Sequence, residues 1–316
     1  MRIIRGLRNL KRPIGPSALT IGVFDGVHIG HRRIIGKVVS CARKNSIESV
    51  IVTFDPHPAA ALGRPGKSPS LISLDHRIDI LRRLGVDIVV VVNFAKHFAS
   101  MSAERFVSDI LIKKLGAEFI YTGDNFRFGR AASADAAKLK SLSSKLGIKY
   151  AAVPRVSVMG HAVSSSAIRQ SVMSGDLKRA KRLLGRPISV FGTVIKGARF
   201  ARVLGYPTAN INPHHEVIPP AGVYAVKVRI GNTVKGGILN IGIKPTFYGP
   251  RDREPSIEAH IFDFKSSIYG REIEVYFIKK IRDEIAFEDA GALTAQIEKD
   301  RTLALQICKN MIICSK

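Results

Sequence analysis

The spacing of hydrophobic and polar positions divides the chain into two textures. In residues 1–185, short apolar runs alternate with stretches whose apolar positions recur every three or four residues. Leu19–Phe24, Ser49–Phe54, Asp87–Val92, Glu118–Thr122 and Tyr150–Val153 have the length and composition of buried strands. Between them the helical period predicts helices around Ile34, Ile35, Val38 and Val39, and over Leu74–Leu84, Ala103–Leu115 and Ala134–Leu146, with Gly85 and Gly147 as C-terminal stops. Four or five such βα units imply a doubly wound parallel sheet of α/β class, Rossmann-like, with ligands at the carboxyl ends of its strands. Those ends run into Asp25, Asp55, Asn93 and Gly123. The helical pattern resumes at Ser164 and stops at Gly185-Arg186-Pro187, which places the domain boundary between 185 and 186. Beyond it, runs at Ser189–Ile195, Gly222–Ile230, Lys235–Ile241, Ile257–Phe262 and Glu272–Ile281 follow one another through turns. They predict an antiparallel β-barrel or sandwich over 186–316, closed by a terminal helix from Ala290 to about Ile312.

Composition adds little until charge is counted. A hydrophobic fraction of 46% and a charged fraction of 24% are those of an ordinary globular chain, and 316 residues suffice for two cores. Fifty Lys and Arg against 25 Asp and Glu give +25, and 1–185 carries most of the excess, with 31 basic and 12 acidic side chains. Such a surplus attracts polyanions without choosing among nucleotides, nucleic acid and anionic lipid. Because the basic residues are spread rather than clustered with aromatics, a nucleic-acid partner is not expected. The three cysteines, Cys41, Cys308 and Cys314, form neither a metal spacing nor a disulfide framework, which fits a reducing cytoplasm. The N-terminus lacks the apolar core of a signal peptide, and the longest apolar run, Ile88–Val92, is far too short to span a bilayer, so no membrane partner is expected. Self-association is left open.

The stretch LTIGVFDGVHIGHRR, Leu19–Arg33, carries the first candidate chemistry. A strand, a glycine turn and a helix start form an anion site from free N–H groups and the helix dipole. His28 and His31 add donors for a phosphate gaining charge, whereas a single histidine there would be read as a cap or surface residue. Three further segments stand at matching strand ends. Val52–Pro58 is equally well a proline-stiffened turn. Gly123–Gly129 offers Phe126 and Phe128 to a planar ring and Asn125 to its edge, although loop aromatics more often belong to local core. Ser164, Ser165 and Ser166 open a helix with Arg169 on its first turns; capping explains one serine, and the group suits phosphate. In the second half, Thr208 and Asn210 within GYPTAN could ligate Mg²⁺ or simply form a turn, and Glu258 shares a strand face with His260, as a general base or an exposed edge.

Together these segments resemble the bacterial bifunctional riboflavin kinase/FAD synthetase family over roughly residues 15 to 305. IGVFDGVHIGH, TFDPHP, GDNFRFG and SSSAIR occur in the order of its FAD synthetase half, and GYPTAN, GVYA, NIG-x-x-PTF and E-x-H-I-x-DF in that of its kinase half. The resemblance implies a nucleotidylyltransferase domain over 1–185 that turns FMN and ATP into FAD, and a riboflavin kinase domain over 186–316 that makes the FMN, with Mg²⁺ in attendance. It implies that His28 and His31 stabilise the α-phosphate of ATP. Ser164, Ser165, Ser166 and Arg169 fall on its phosphate-clamping segment, and Asn125 near the flavin. Glu258 takes the proton from the ribityl hydroxyl, while Thr208 and Asn210 hold Mg²⁺ and ATP. Gly22, Phe24, Asp25, Gly26, Gly30, Arg202, Gly205, Pro207 and Asn240 complete the nucleotide- and flavin-binding positions. Three residues depart from the pattern: Ser166 where threonine is usual, Ala167 where arginine is common, and Ala201 where glycine is usual.

Overall fold

The computed structural model describes residues 1–61, 69–197, 205–214, 216–243 and 255–309. They form two compact units, Met1–Ser68 with Leu74–Ser164, and Pro69–Ser73 with Ser165–Lys316.

The first unit begins with β1 (Arg2–Arg5), β2 (Ser17–Ile21), α1 (Ile29–Asn45) and β3 (Glu48–Phe54). Next come α2 (Pro58–Ala61), α3 (Leu74–Arg83), β4 (Ile88–Val92), α4 (Lys96–Ala99) and α5 (Ala103–Arg105). The chain then passes through β5 (Ala117–Gly123), the two-residue strands β6 (Arg127–Phe128) and β7 (Ala134–Asp135), α6 (Ala136–Lys145) and β8 (Lys149–Val153). Six strands make one parallel sheet in the order β1-β4-β3-β2-β5-β8. The strand order reverses at β2, whose five residues are all buried, so its carboxyl end beside β5 is the topological switch point. Four details differ from the periodicity. β1 is an added edge strand in which only Ile4 is buried, too little apolar content to announce itself. β2 stops at Ile21, because Phe24 takes a positive φ and leaves the sheet. The helix expected over Ala103–Leu115 is one turn followed by a π-helical stretch, Phe106–Ile112. α6 starts at Ala136, where the Asp135 side chain accepts from the Lys138 N–H at 3.0 Å and caps it.

A small ribbon, β9 (Ser157–Val158) and β10 (His161–Ala162), ends this unit. The second opens with α7 (Ser165–Met173) and α8 (Leu177–Leu184), two helices rather than one, separated at Gly175 and restarted by the Asp176 cap. Then β11 (Ser189–Ile195), β12 (Ala209–Asn212), β13 (Gly222–Ile230), β14 (Thr233–Ile243), β15 (Pro255–Ile261) and β16 (Glu272–Arg282) close a barrel in the order β11-β12-β15-β14-β13-β16. Closure removes the open edges that a sandwich would leave. Its buried carboxylate, Glu274, accepts from Ser189, Tyr276 and Arg229 at 2.6–2.8 Å, tying β11, β13 and β16 together. The last helix, α9 (Ala290–Lys309), packs Ala304 against Ala225, Ile238 and Phe262.

Leu19 is fully buried in the central strand of the sheet. Leu19→Ala is expected to cost about 2–5 kcal/mol, the range for an emptied core site, read from the urea midpoint of the helical signal. An unchanged midpoint would overturn this account of the core.

Candidate active sites

At the end of β2 the backbone reverses through Phe24 (φ 52°), Gly26 (φ 80°) and Val27 (φ 40°). For a β-branched residue such as Val27 this is a rare conformation. The turn delivers His28 as the N-cap of α1: its Nδ1 accepts from the His31 N–H at 3.3 Å. An Nδ1 that accepts leaves Nε2 as the ring's donor. The two imidazoles stack with centroids 3.6 Å apart, and Phe24 meets His31 edge-on at 5.3 Å. Gly30 has a steric reason to be glycine, since a Cβ there would lie 3.2 Å from Cε1 and Nδ1 of His28. Burial first, then the proximity of His28 and Arg77, pushes the His31 imidazole well below the usual histidine range, so the ring is neutral at pH 7. Asp25 and Gly26 are buried in the turn.

A cavity of about 790 Å³ opens at the same strand end. Ile21, Gly22 and Val23 line it on one side and Asn125, Arg127 and Arg130 on another. Its apolar wall is a chain of phenylalanines, with Phe54–Phe94, Phe94–Phe98, Phe98–Phe106 and Phe106–Phe128 in contact at 5.5–5.8 Å. Phe126 stacks on Phe128 at 5.5 Å with the rings 11° from parallel. Phe128 belongs to the core, as loop aromatics more often do, and also walls the cavity. The sequence reading missed Phe94, Phe98 and Phe106, and took Phe54 only as part of the Val52–Pro58 segment. The only local signal was the i, i+4 spacing of Phe94 and Phe98 beyond β4.

The structure brings Gly22, Phe24, Asp25, Gly26, His28, Gly30, His31 and Asn125 together in the first unit. Ser164 ends that unit, while Ser165, Ser166 and Arg169 open α7 of the second. There the Arg169 Nε donates to the Pro69 carbonyl at 2.8 Å.

In the barrel, strand register does what sequence spacing could not. Glu258 on β15 is paired with Asn210 on β12 and with Asn240 on β14, so three polar side chains form one row across three strands. Directly opposed positions lie about 4.5–5.5 Å apart at Cβ. Thr208 Oγ1 donates to Glu258 Oε2 at 3.5 Å. The Asn210 amide fits where Gly197 has no side chain; any Cβ there would collide with it. The ring Nδ1 of His260 pairs with the Pro207 carbonyl at 2.9 Å, fixing the turn that presents Thr208. Thr208 borders two cavities. One, about 500 Å³, includes Gly205, Pro207 and the 264–269 loop. The other, about 310 Å³, holds Asn240, Glu258 and His260 against apolar Ile285, Phe287 and Leu293. Glu284, which accepts from Asn240 Nδ2 at 3.1 Å, and the Arg282–Asp300 ion pair also line it, and the sequence reading had singled out neither. Arg199, Ala201, Arg202 and Lys244–Phe247 lie outside the described residues.

Comparison with known proteins gives two adjoining family matches, one described as FAD synthetase over residues 11–167 and one as riboflavin kinase over residues 184–308. Among curated relatives, a bifunctional riboflavin kinase/FMN adenylyltransferase from Buchnera aphidicola is 37% identical over 302 residues, 95% of this chain and 96% of its own. Its namesake from Bacillus subtilis is 36% identical over 305 residues, 96% of each chain. A crystal structure from Streptococcus pneumoniae, described as a macrolide-efflux protein, superposes with a TM-score of 0.82 at 29% identity, covering 99% of this chain and 100% of that one. Among the described residues here, no helix is long and apolar enough to cross a membrane.

Two outcomes follow from the histidine turn. Gly30→Ala is expected to push the His28 ring off its cap and lower the urea midpoint of unfolding; a wild-type midpoint would show that the close approach is dispensable. Because the folded protein holds His31 with a depressed proton affinity, the unfolded chain takes up that proton first as the pH drops below about 6.5. Stability is therefore lost on acidification below that point and unaffected above it. His31→Asn should lose less stability than wild type between pH 8 and pH 5.5 in urea titrations, and equal losses would refute the buried neutral ring.

Proposed function

The chain belongs to the bifunctional riboflavin kinase/FMN adenylyltransferase family, and from that premise we propose which of its residues carry each step. It is an enzyme of two activities, phosphorylation of riboflavin to FMN and adenylylation of FMN to FAD, with ATP as co-substrate of both. Such transfers ask a protein for position and charge neutralisation more than for covalent chemistry.

We assign adenylylation to 1–185 and phosphorylation to 186–316. In the first, an oxygen of the FMN phosphate attacks the α-phosphorus of ATP and pyrophosphate leaves. The His28 Nε2–H, the neutral His31 and the N–H groups opening α1 meet the charge that grows on the α-phosphate. The flavin ring enters the phenylalanine-walled cavity with Asn125 at its edge. Ser164, Ser165, Ser166 and Arg169 supply phosphate contacts by family resemblance. The observation that carries this assignment is that the histidine turn and the aromatic cavity share Gly22 and Val23 at one strand end.

In the barrel, Glu258 takes the proton from the ribityl hydroxyl as that oxygen attacks the γ-phosphorus of the other ATP, whose bond to the bridging oxygen breaks and releases ADP. The row Asn210–Glu258–Asn240, with Thr208 on both cavities, supports one substrate in each cavity and the reacting groups at their shared wall. Thr208 and Asn210 are hard oxygen donors of the kind Mg²⁺ accepts, and the Gly197 gap gives the Asn210 amide a fixed seat. Bound there, Mg²⁺ would neutralise phosphate charge. Arg202, Gly205 and Pro207 belong to the same nucleotide-binding side by resemblance. Cysteine usage supports a cytoplasmic setting, and the partners are small molecules.

The test is chromatographic separation of flavins after incubation with riboflavin, ATP and Mg²⁺. His28→Ala should lower FAD formation by about 10²–10³-fold, the scale for a lost transition-state donor, while FMN still forms. Glu258→Ala should lower FMN formation by about 10²–10⁴-fold, the scale for a lost general base, while supplied FMN is still adenylylated. Loss of both activities in each folded variant would sink the two-site assignment.

A further inference from the structure

Arg77 lies in the first turn of α3, outside every motif that the sequence singled out, and is only 4% exposed. A guanidinium carries five donors and cannot shed its charge, so burying one is costly unless it is held by partners. Its Nη1 donates to Thr53 Oγ1 at 2.9 Å and reaches the Phe54 carbonyl at 3.4 Å. Thr53 in turn donates to the Val23 carbonyl at 3.1 Å. The relay therefore runs from α3, through the end of β3, to the residue between Gly22 and the positive-φ Phe24. Burial pushes the Arg77 guanidinium down from its ordinary range, the nearby charges of Asp25 and Asp55 act against that, and His31 lies close enough to feel the cation. The buried Nε finds no hydrogen-bond partner among the described residues, and neither does the buried Nδ1 of His31. A structural arginine would use its donors on the scaffold. This one keeps a buried donor uncommitted next to a histidine pair.

We propose that Arg77 is the positioning residue of the adenylyl-transfer site: through Thr53 it locks the Val23 carbonyl, and with it the turn that aims His28 and His31, and it sets a fixed cation behind the pair. The proposal rests on the assignment of adenylylation to His28 and His31. It explains why α3 inserts an arginine where a helix packed on a sheet would ordinarily insert an apolar side chain. Its energetic logic is preorganisation, a charge and a hydrogen-bond relay already in place before the phosphate arrives.

The experiment measures FMN adenylylation and riboflavin phosphorylation in the full chain for wild type, Arg77→Met, Arg77→Lys, Thr53→Val and Thr53→Ser. Arg77→Met and Thr53→Val are expected to lower the adenylylation kcat at least tenfold, with KM for ATP and FMN within threefold of wild type and kinase rates unchanged. Thr53→Ser, which keeps the hydroxyl, should restore most of the rate, and Arg77→Lys, which keeps charge without the fork, should fall between. Should Arg77→Met not fold, the Thr53 pair decides alone. Wild-type kcat in Thr53→Val, or equal losses in Thr53→Val and Thr53→Ser, would overturn the relay. Adenylylation that survives His28→Ala at the wild-type rate would instead overturn the underlying site assignment and leave the relay without an object.

Discussion

At the carboxyl end of β2 the backbone must leave the sheet, reverse and enter a helix within the seven residues from Gly22 to His28. It does so with Phe24 and Val27 at positive φ, each costing on the order of 1–3 kcal/mol. Both side chains are almost wholly buried, and sealing such groups from water returns about 1.5–3 kcal/mol apiece. The strain is thus offset locally, by packing beneath the turn. Because the chain has so few ways to satisfy that constraint, the turn is stiff, and its stiffness is what aims His28 and His31. The Thr53 contact to the Val23 carbonyl fastens the same turn from the neighbouring strand.

Under the proposed assignment the two units solve one problem, holding phosphate in place for attack, with different architecture. The parallel sheet exposes strand ends and a helix start, so its donors are backbone N–H groups and imidazoles around a helix axis. A closed antiparallel barrel has no such helix start among its strands, so its polar groups are side chains lined up by register: Asn210, Glu258 and Asn240. In each case the precision comes from hydrogen-bonded backbone. Each unit also pairs its polar row with an apolar chamber, the phenylalanine chain in one and Ile285, Phe287 and Leu293 in the other. A flat ring that leads with a polar tail fits that combination of surfaces.

Much of this was legible in the sequence because the signals are local. Strand length, helical period, glycine stops and the histidine pair are written within windows of ten residues or fewer, and both the parallel sheet and the barrel stand where those windows put them. The motif order pointed to both activities before any distance was known. Errors fell where a short window misleads. Leu19–Phe24 reads as one apolar run, yet its last three residues leave the sheet. Arg2–Arg5 is too polar to read as a strand, yet it finds an edge beside β4.

What the tertiary structure alone decided is everything that depends on register and on long sequence separation. Phe54, Phe94, Phe98, Phe106 and Phe128 span 74 positions, and only the side-by-side placement of strand ends makes them one wall. Asn210, Glu258 and Asn240 become neighbours because barrel closure sets β15 between β12 and β14; a one-residue slip would turn the row to the opposite face. Arg77 reads as one more surface cation in a +25 chain until the fold buries it against Thr53. Pro69–Ser73 lies among first-unit residues in the chain, yet it packs with the second, where Arg169, Glu216 and Val217 hydrogen-bond to it. Local pattern fixes which elements form, because propensity and capping act over a few residues. Which side chains meet is decided by pairing across the chain, and that information is in no single stretch of it.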